Sequence, residues 1–168
     1  MTELLIGNSL NDTLADFPGN YAYRATKTAL ATGTVNELKV YCHTTDSCPV
    51  DVAIYDSSGN LLAAATDTLE GSTGFVGISV SDVSVIEDTD YILFAAFAYI
   101  GKSKLSTGGT DYDLDYNNAY VVVTTSPPDP ITDISWSSSS RTDVGIQAWG
   151  NLEDGGELGL FFGRTGLP

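Results

Sequence analysis

The stretch "VDVAIYDSSGNLLAAAT", residues 50–66, decides how the rest of the chain is read. Its first half alternates. Val50, Val52 and Ile54 fall on one side and Asp51, Ala53 and Tyr55 on the other, the period of a β-strand with one face on a core. "DSSGN" (56–60) supplies turn residues, with Gly59 able to take positive φ at no steric cost. "LLAAAT" (61–66) then resumes a short apolar run. Strand, turn and strand predict a hairpin.

Working outward, the same grammar recurs. "VNELKVYCH" (35–43) places Leu38, Val40 and Cys42 on one face and Lys39, Tyr41 and His43 on the other. "TKTALATGTV" (26–35) carries an earlier strand and turn. "GFVGISV" (74–80), "YILFAAFAYI" (91–100), "NAYVVVTT" (118–125) and "DVGIQAWG" (143–150) follow as further short strands. "SPPDP" (126–130) is a loop, because its three prolines remove backbone donors and fix φ. "SSSS" (137–140) is read as a loop as well. Eight or so short strands without a convincing helix predict an all-β fold: an antiparallel two-sheet β-sandwich, jelly-roll-like. The domain spans 20–150. A segment at 1–19 offers "TELLIG" as an edge strand, added in cis or in trans, and 151–168 forms a Gly-rich apolar C-terminal arm.

One strand breaks the alternation. "YILFAAFAYI" is apolar on both faces, so each side needs a cover: a loop, the chain's own tail or another subunit. The arm "NLEDGGELGLFFGRTGLP" has glycines that deny it a regular helix, yet Leu158, Leu160, Phe161 and Phe162 are too apolar to float in water. Burying each phenylalanine is worth roughly 1.5–3 kcal/mol. The arm is read as docking on a neighbouring subunit or as a last strand tucked against its own domain. With Leu4, Leu5, Ile6 and Trp149, these residues form the candidate subunit interface of a homo-oligomer.

Composition narrows the function. The formal charge is −15, from 22 acidic and seven basic residues, and 42% of the chain is hydrophobic. Nucleic acid and anionic membrane surfaces would repel such a chain. No run of 18 apolar residues is present, so no transmembrane helix is expected. The N-terminus lacks a basic n-region and a long apolar core, so no signal peptide is expected. Cys42 and Cys48, in "CHTTDSC", are read as a small-loop disulfide or as two thiols. Two cysteines and the single His43 cannot fill a four-ligand zinc site.

Together, "ATGTVNELKVYC" (31–42), "VDVAIYDSSGNLLAAAT", "IEDTDYILFAAFA" (86–98), "YVVVTTSPPDP" (120–130) and "VGIQAWG" (144–150) resemble a β-sandwich module of bacteriophage virion proteins and of accessory domains of secreted bacterial proteins. The resemblance covers about residues 20–150. It implies a jelly-roll sandwich used for attachment, decoration or glycan contact, and no catalytic residues. Where relatives tend to carry a tryptophan strand, this chain has "GFVGISV" with Phe75. The arm after 150 lies outside the shared region.

Catalytic chemistry finds no footing. A Ser-His-Asp system would have to use His43, and no "GxSxG" elbow exists. Adjacent strand residues point to opposite faces, so Cys42 and His43 do not form a dyad. No "GxxxxGK[ST]" phosphate loop occurs, and no cofactor is expected. Asp111, Asp113 and Asp115 in "DYDLDY" (111–116) alternate along a strand, either as a solvated face or as a cation site. An EF-hand loop starting there would need Gly at 116 and Glu at 122, where the chain has Tyr116 and Val122. The expectation is a non-enzymatic virion protein, a capsid decoration (cement) or tail/fibre component, whose partners are other copies of itself and other virion proteins. The alternative is an extracellular or cell-surface carbohydrate-binding module. Its glycan would lie on Trp136 and Trp149, rings that can stack on sugars.

Overall fold

The structure, a computed structural model of the chain, describes residues 2–7, 14–17, 22–43, 47–71, 73–97, 102–106, 114–117, 127–133, 135–139 and 143–153. Among these it contains thirteen strands. They are β1 (Glu3–Ile6), β2 (Leu14–Phe17), β3 (Ala22–Thr28), β4 (Gly33–His43), β5 (Ser47–Asp56), β6 (Leu61–Glu70) and β7 (Thr73–Val85), followed by β8 (Asp90–Phe97), β9 (Lys102–Ser106), β10 (Leu114–Asn117), β11 (Ser137–Ser139), β12 (Asp143–Val144) and β13 (Ile146–Leu152). Among the described residues one 3-10 turn is present, at Ile131–Asp133.

Eight strands make the sandwich. One sheet runs β1-β13-β4-β7 and the other β3-β8-β5-β6, antiparallel throughout. The chain steps between sheets at nearly every connection. Among the eight, only β5 and β6 follow one another as a hairpin, and that hairpin is residues 50–66 of the opening stretch. This strand order is that of a jelly roll, as the sequence predicts. The short strands extend the sheets. β10 and β11 add beside β3. β9 pairs with β4 at Cys42 and His43, where β13 has turned away, and β2 and β12 pair with β9. Ser137–Ser139, read from sequence as loop, is strand β11, because β10 offers it a ladder.

The inner faces meet in one apolar core. Val35, Leu38, Val40, Ile78, Val83, Val85, Ile146 and Ala148 come from the first sheet, and Tyr23, Val50, Val52, Ile54, Leu93 and Phe97 from the second. Each large side chain contributes roughly 1.5–3 kcal/mol. β4 and β5, which flank "CHTTDSC", do not pair as a hairpin. They lie in different sheets, so Cys42 and Cys48 stand on either side of a crossing. Cys48 is buried, its Sγ 3.5 Å from the Pro49 carbonyl oxygen. The side chain of Cys42 lies outside the described residues, and the disulfide reading with it.

A bulge marks the β4–β13 ladder, where Trp149 pairs with Glu37 but Gly150 with Val35. The backbones approach so closely there that a Cβ on Gly150 would overlap the Thr34 carbonyl oxygen. Glycine is required by space rather than by φ at this point.

The β5–β6 turn is held by Asp56. Its Oδ1 accepts from the backbone N–H of Ser58 and of Asn60 at 2.9 Å each, and its Oδ2 accepts from Asn60 Nδ2 at 2.7 Å. Gly59 takes φ +88°, as the sequence reading requires. The Asn60 side chain, followed by the Asn60 backbone, holds the Asp56 carboxyl below the usual aspartate value. A depressed folded-state pKa adds stability that is present above the unfolded value and lost as pH falls through the folded one. Asp56→Asn should therefore lower Tm at neutral pH and narrow the gap to wild type on the acid limb. Thermal melts across that limb check this.

Candidate functional site

The two outer faces of the sandwich have different fates. On the β3-β8-β5-β6 sheet, the outward residues Ala22, Ala53, Tyr55, Phe94 and Ala96 form a second apolar cluster with Ile131. The cover is the segment 127–136. Ile131 N–H donates to the Gly59 carbonyl at 2.9 Å and Leu61 N–H to Asp129 Oδ1 at 3.2 Å, which fastens the segment to the β5–β6 turn. Trp136 closes the far side. Its Nε1 donates to the Ile131 carbonyl at 3.0 Å, its ring meets Phe94 edge-on at 6.2 Å, and the Arg24 guanidinium sits 4.7 Å from the ring centre. The two-sided apolar strand at 91–97 is thus covered by a loop, one of the covers its sequence called for.

The outer face of the β1-β13-β4-β7 sheet carries a different set. Alternation along β4 turns Glu37, Lys39 and Tyr41 outward, because Leu38 and Val40 are in the core. On β7 the outward positions are Phe75, Gly77 and Ser79, and on β13 they are Gln147 and Trp149. Register then builds contacts. Tyr41 is directly opposite Phe75, and their rings meet edge-on at 5.3 Å and 87°. Phe75 remains 36% exposed.

At the other end of the face a diagonal chain of contacts runs across three strands. The Lys39 ammonium lies 3.8 Å from the centre of the Trp149 ring, a cation–π contact. Its Nζ is 3.4 Å from Glu37 Oε2, with the two side chains 24% and 30% exposed. The Glu37 carboxylate lies over Gly77, occupying the space a Cβ would fill. Trp149 Nε1 donates to Gln147 Oε1 at 2.9 Å. Gln147 itself is only 5% exposed, because Gly7, at φ +117°, passes against its Cγ. Three aromatic rings and an ion pair therefore line one sheet face, an arrangement suited to binding.

The structure sorts the sequence-based candidates. Trp149 is half-buried on the outer face, the neighbours Ile146 and Ala148 being in the core. Trp136 is on the opposite sheet, packed as cover, so the two tryptophans do not form one platform. Leu5 and Ile6 are fully buried in the core, and β1 pairs in cis with β13. Leu4 is half-buried opposite Trp149. β13 continues two residues past Gly150, to Leu152. Leu158, Leu160, Phe161 and Phe162 lie outside the described residues, as do Asp111 and Asp113. Asp115 is in β10, its backbone opposite Arg24 and Ser138. Tyr41, Phe75, Lys39 and Glu37 were not singled out as a site from sequence. The alternation at 37/39/41 and 75/77/79 was available, but the register that joins the two strands was not.

Fold and face define a jelly-roll β-sandwich with one outer surface closed by its own chain and the other carrying rings and charges. The chain belongs to the family described as Domain of unknown function (DUF4082), whose model matches residues 26–126. The matched region includes β4 and β7, hence Glu37, Lys39, Tyr41, Phe75 and Gly77, and ends before Trp136 and Trp149. No curated protein matches the chain.

Trp136→Ala should cost about 1.5–3 kcal/mol of unfolding free energy through lost burial of its ring. Trp149→Ala, on the open face, should cost less. Paired urea titrations check the order.

Proposed function

We propose that this chain is a non-enzymatic binding module that holds a glycan on the outer face of the β1-β13-β4-β7 sheet. The observation that carries this reading is the contrast between the two outer faces. One is closed by the chain's own residues 127–136, and the other presents Trp149, Tyr41 and Phe75 with Lys39 and Glu37 between them. Sugars have apolar C–H faces that stack on aromatic rings and hydroxyl rims that hydrogen-bond to polar side chains. A surface of rings interleaved with charges meets both needs. The formal charge of −15 argues against nucleic acid as the occupant. The site of action would be a cell surface or other extracellular glycan.

Binding is tested by affinity electrophoresis in polysaccharide gels, followed by calorimetry on any glycan that retards the protein. Trp149→Ala and Phe75→Ala should each weaken binding at least about tenfold, equivalent to the loss of ~1.4 kcal/mol. Trp136→Ala should leave binding intact despite its lower stability. Loss in Trp136→Ala alone would place the ligand on the other sheet and sink the assignment of the face.

A second reading, a virion structural protein assembling through its termini, draws on the end of the sandwich where β13 stops. Leu30, Ile86 and Leu152, the three most exposed large apolar side chains among the described residues, all lie near that end. Gly33 pairs with both Leu152 and Val85 there, and Asp88 N–H donates to the Ala29 carbonyl. The apolar residues Leu158, Leu160, Phe161 and Phe162 follow directly in the chain. With β1 paired in cis, the C-terminal arm is the part left to knit copies together. Truncation after Glu153 should leave Tm within a few degrees of wild type and abolish any oligomer seen by native mass spectrometry. An unchanged oligomer would refute the arm.

A further inference from the structure

The geometry points to an extended, uncharged oligosaccharide as the ligand of this face, laid diagonally across the strands from Trp149 over the Lys39–Glu37 pair to Phe75. This inference rests on the glycan-binding reading and gives it a substrate class.

Length comes from the register. Trp149 is opposite Glu37, and Phe75 is opposite Tyr41, four residues further along β4 and one strand beyond it. Two strand spacings and four residues of rise separate the Trp149 and Phe75 backbones by about 16 Å. That is longer than one sugar ring. A monosaccharide can stack on one aromatic end and not on both, so the second end adds affinity only for a ligand of several residues. The face is one side of a pleated sheet, which suits a chain running over it.

Charge comes from the pairing. Lys39 is the cation of this face among the residues whose side chains are described, and Glu37 already neutralises it at 3.4 Å. Gly77 leaves room for the Glu37 carboxylate, which occupies the space a Cβ there would fill. The pair offers donors and acceptors to hydroxyl groups while presenting no net charge. Around it the whole chain carries 22 acidic residues against seven basic ones. A uronic-acid or sulfated polymer would approach a negative body and, among the side chains described on this face, would meet no uncompensated cation. A neutral polymer meets no such barrier, and its hydroxyls can bridge the partly exposed Lys39 and Glu37.

Two features follow. Affinity should rise with chain length and be nearly independent of salt, because no counterions are released. Glu37 also acts as a selectivity residue: Glu37→Gln leaves the Lys39 ammonium without its carboxylate and should open the face to anionic chains.

The test is calorimetry on the intact protein with neutral gluco-, manno- and xylo-oligosaccharides from one to six residues, and with oligouronates of matched length, at low and high salt. The expected result is at least about tenfold tighter binding of a neutral hexamer than of its monomer, the step that a loss of ~1.4 kcal/mol reverses. Trp149→Ala and Phe75→Ala should each erase that gain. Glu37→Gln should acquire salt-sensitive oligouronate binding that wild type lacks. Equal affinity for monomer and hexamer, or wild-type preference for oligouronates, overturns the inference while leaving glycan binding standing. No binding to either series by a folded protein, with a wild-type circular dichroism spectrum, overturns both.

Discussion

Everything in this molecule is arranged around β8, a strand apolar on both sides. Leu93, Ala95 and Phe97 face the core between the sheets, while Phe94 and Ala96 face outward. Leaving the outward rings in water would forfeit roughly 1.5–3 kcal/mol for each large side chain. The sheet containing β8 must therefore be covered twice. The opposing sheet supplies one cover and residues 127–136 the other. The second works because it is pinned at both ends, by backbone and carboxylate bonds to the β5–β6 turn and by the Trp136 ring lodged against Phe94.

That demand divides the surface. With one outer face covered by the chain itself, the other stays open among the described residues, and it carries different chemistry. Its aromatic residues are not joined into a dry cluster. An ion pair separates Trp149 from the touching Tyr41 and Phe75 rings, and the contacts cross strands: Tyr41 to Phe75 directly opposite, Lys39 to Trp149 and Glu37 to Gly77 on diagonals. Cross-strand neighbours are the units that fix side-chain geometry in a sheet. Partly exposed ion pairs add little to stability, so the Lys39–Glu37 contact is better understood as holding two side chains in position than as stapling the fold.

The glycine positions serve the same economy of space. Gly150 lets β13 and β4 come together at the bulge, which keeps Trp149 in register with Glu37. Gly77 leaves room for a carboxylate in the middle of the open face. Gly7 turns the chain over Gln147 with a positive φ, and the amide below it is thereby fixed to receive the Trp149 N–H. Each of these absences of a side chain positions a neighbouring one.

The fold class was legible because it depends on local patterns. Alternation in 35–43 and 50–55, turn chemistry at 56–60 and the prolines at 127–130 are statements about neighbours in sequence, and the sandwich, its hairpin and its loop follow from them. The need for a cover on both faces of 91–97 was also visible, since it requires only counting apolar residues on each side. What supplied the cover was not, because 127–136 reaches β8 by a contact between residues some forty positions apart. For the same reason Trp136 and Trp149 looked equivalent in sequence and proved to serve opposite sheets. Leu5 and Ile6, short and apolar near a terminus, read equally well as a contact in cis or in trans, and only the pairing of β1 with β13 places them in the core. The candidate binding face, apart from Trp149, belongs to this second class. Alternation determines that Lys39 and Phe75 point away from their own strands' cores. Tertiary register alone brings Tyr41 against Phe75 and Lys39 onto Trp149, because strand pairing is a long-range choice that local sequence does not encode.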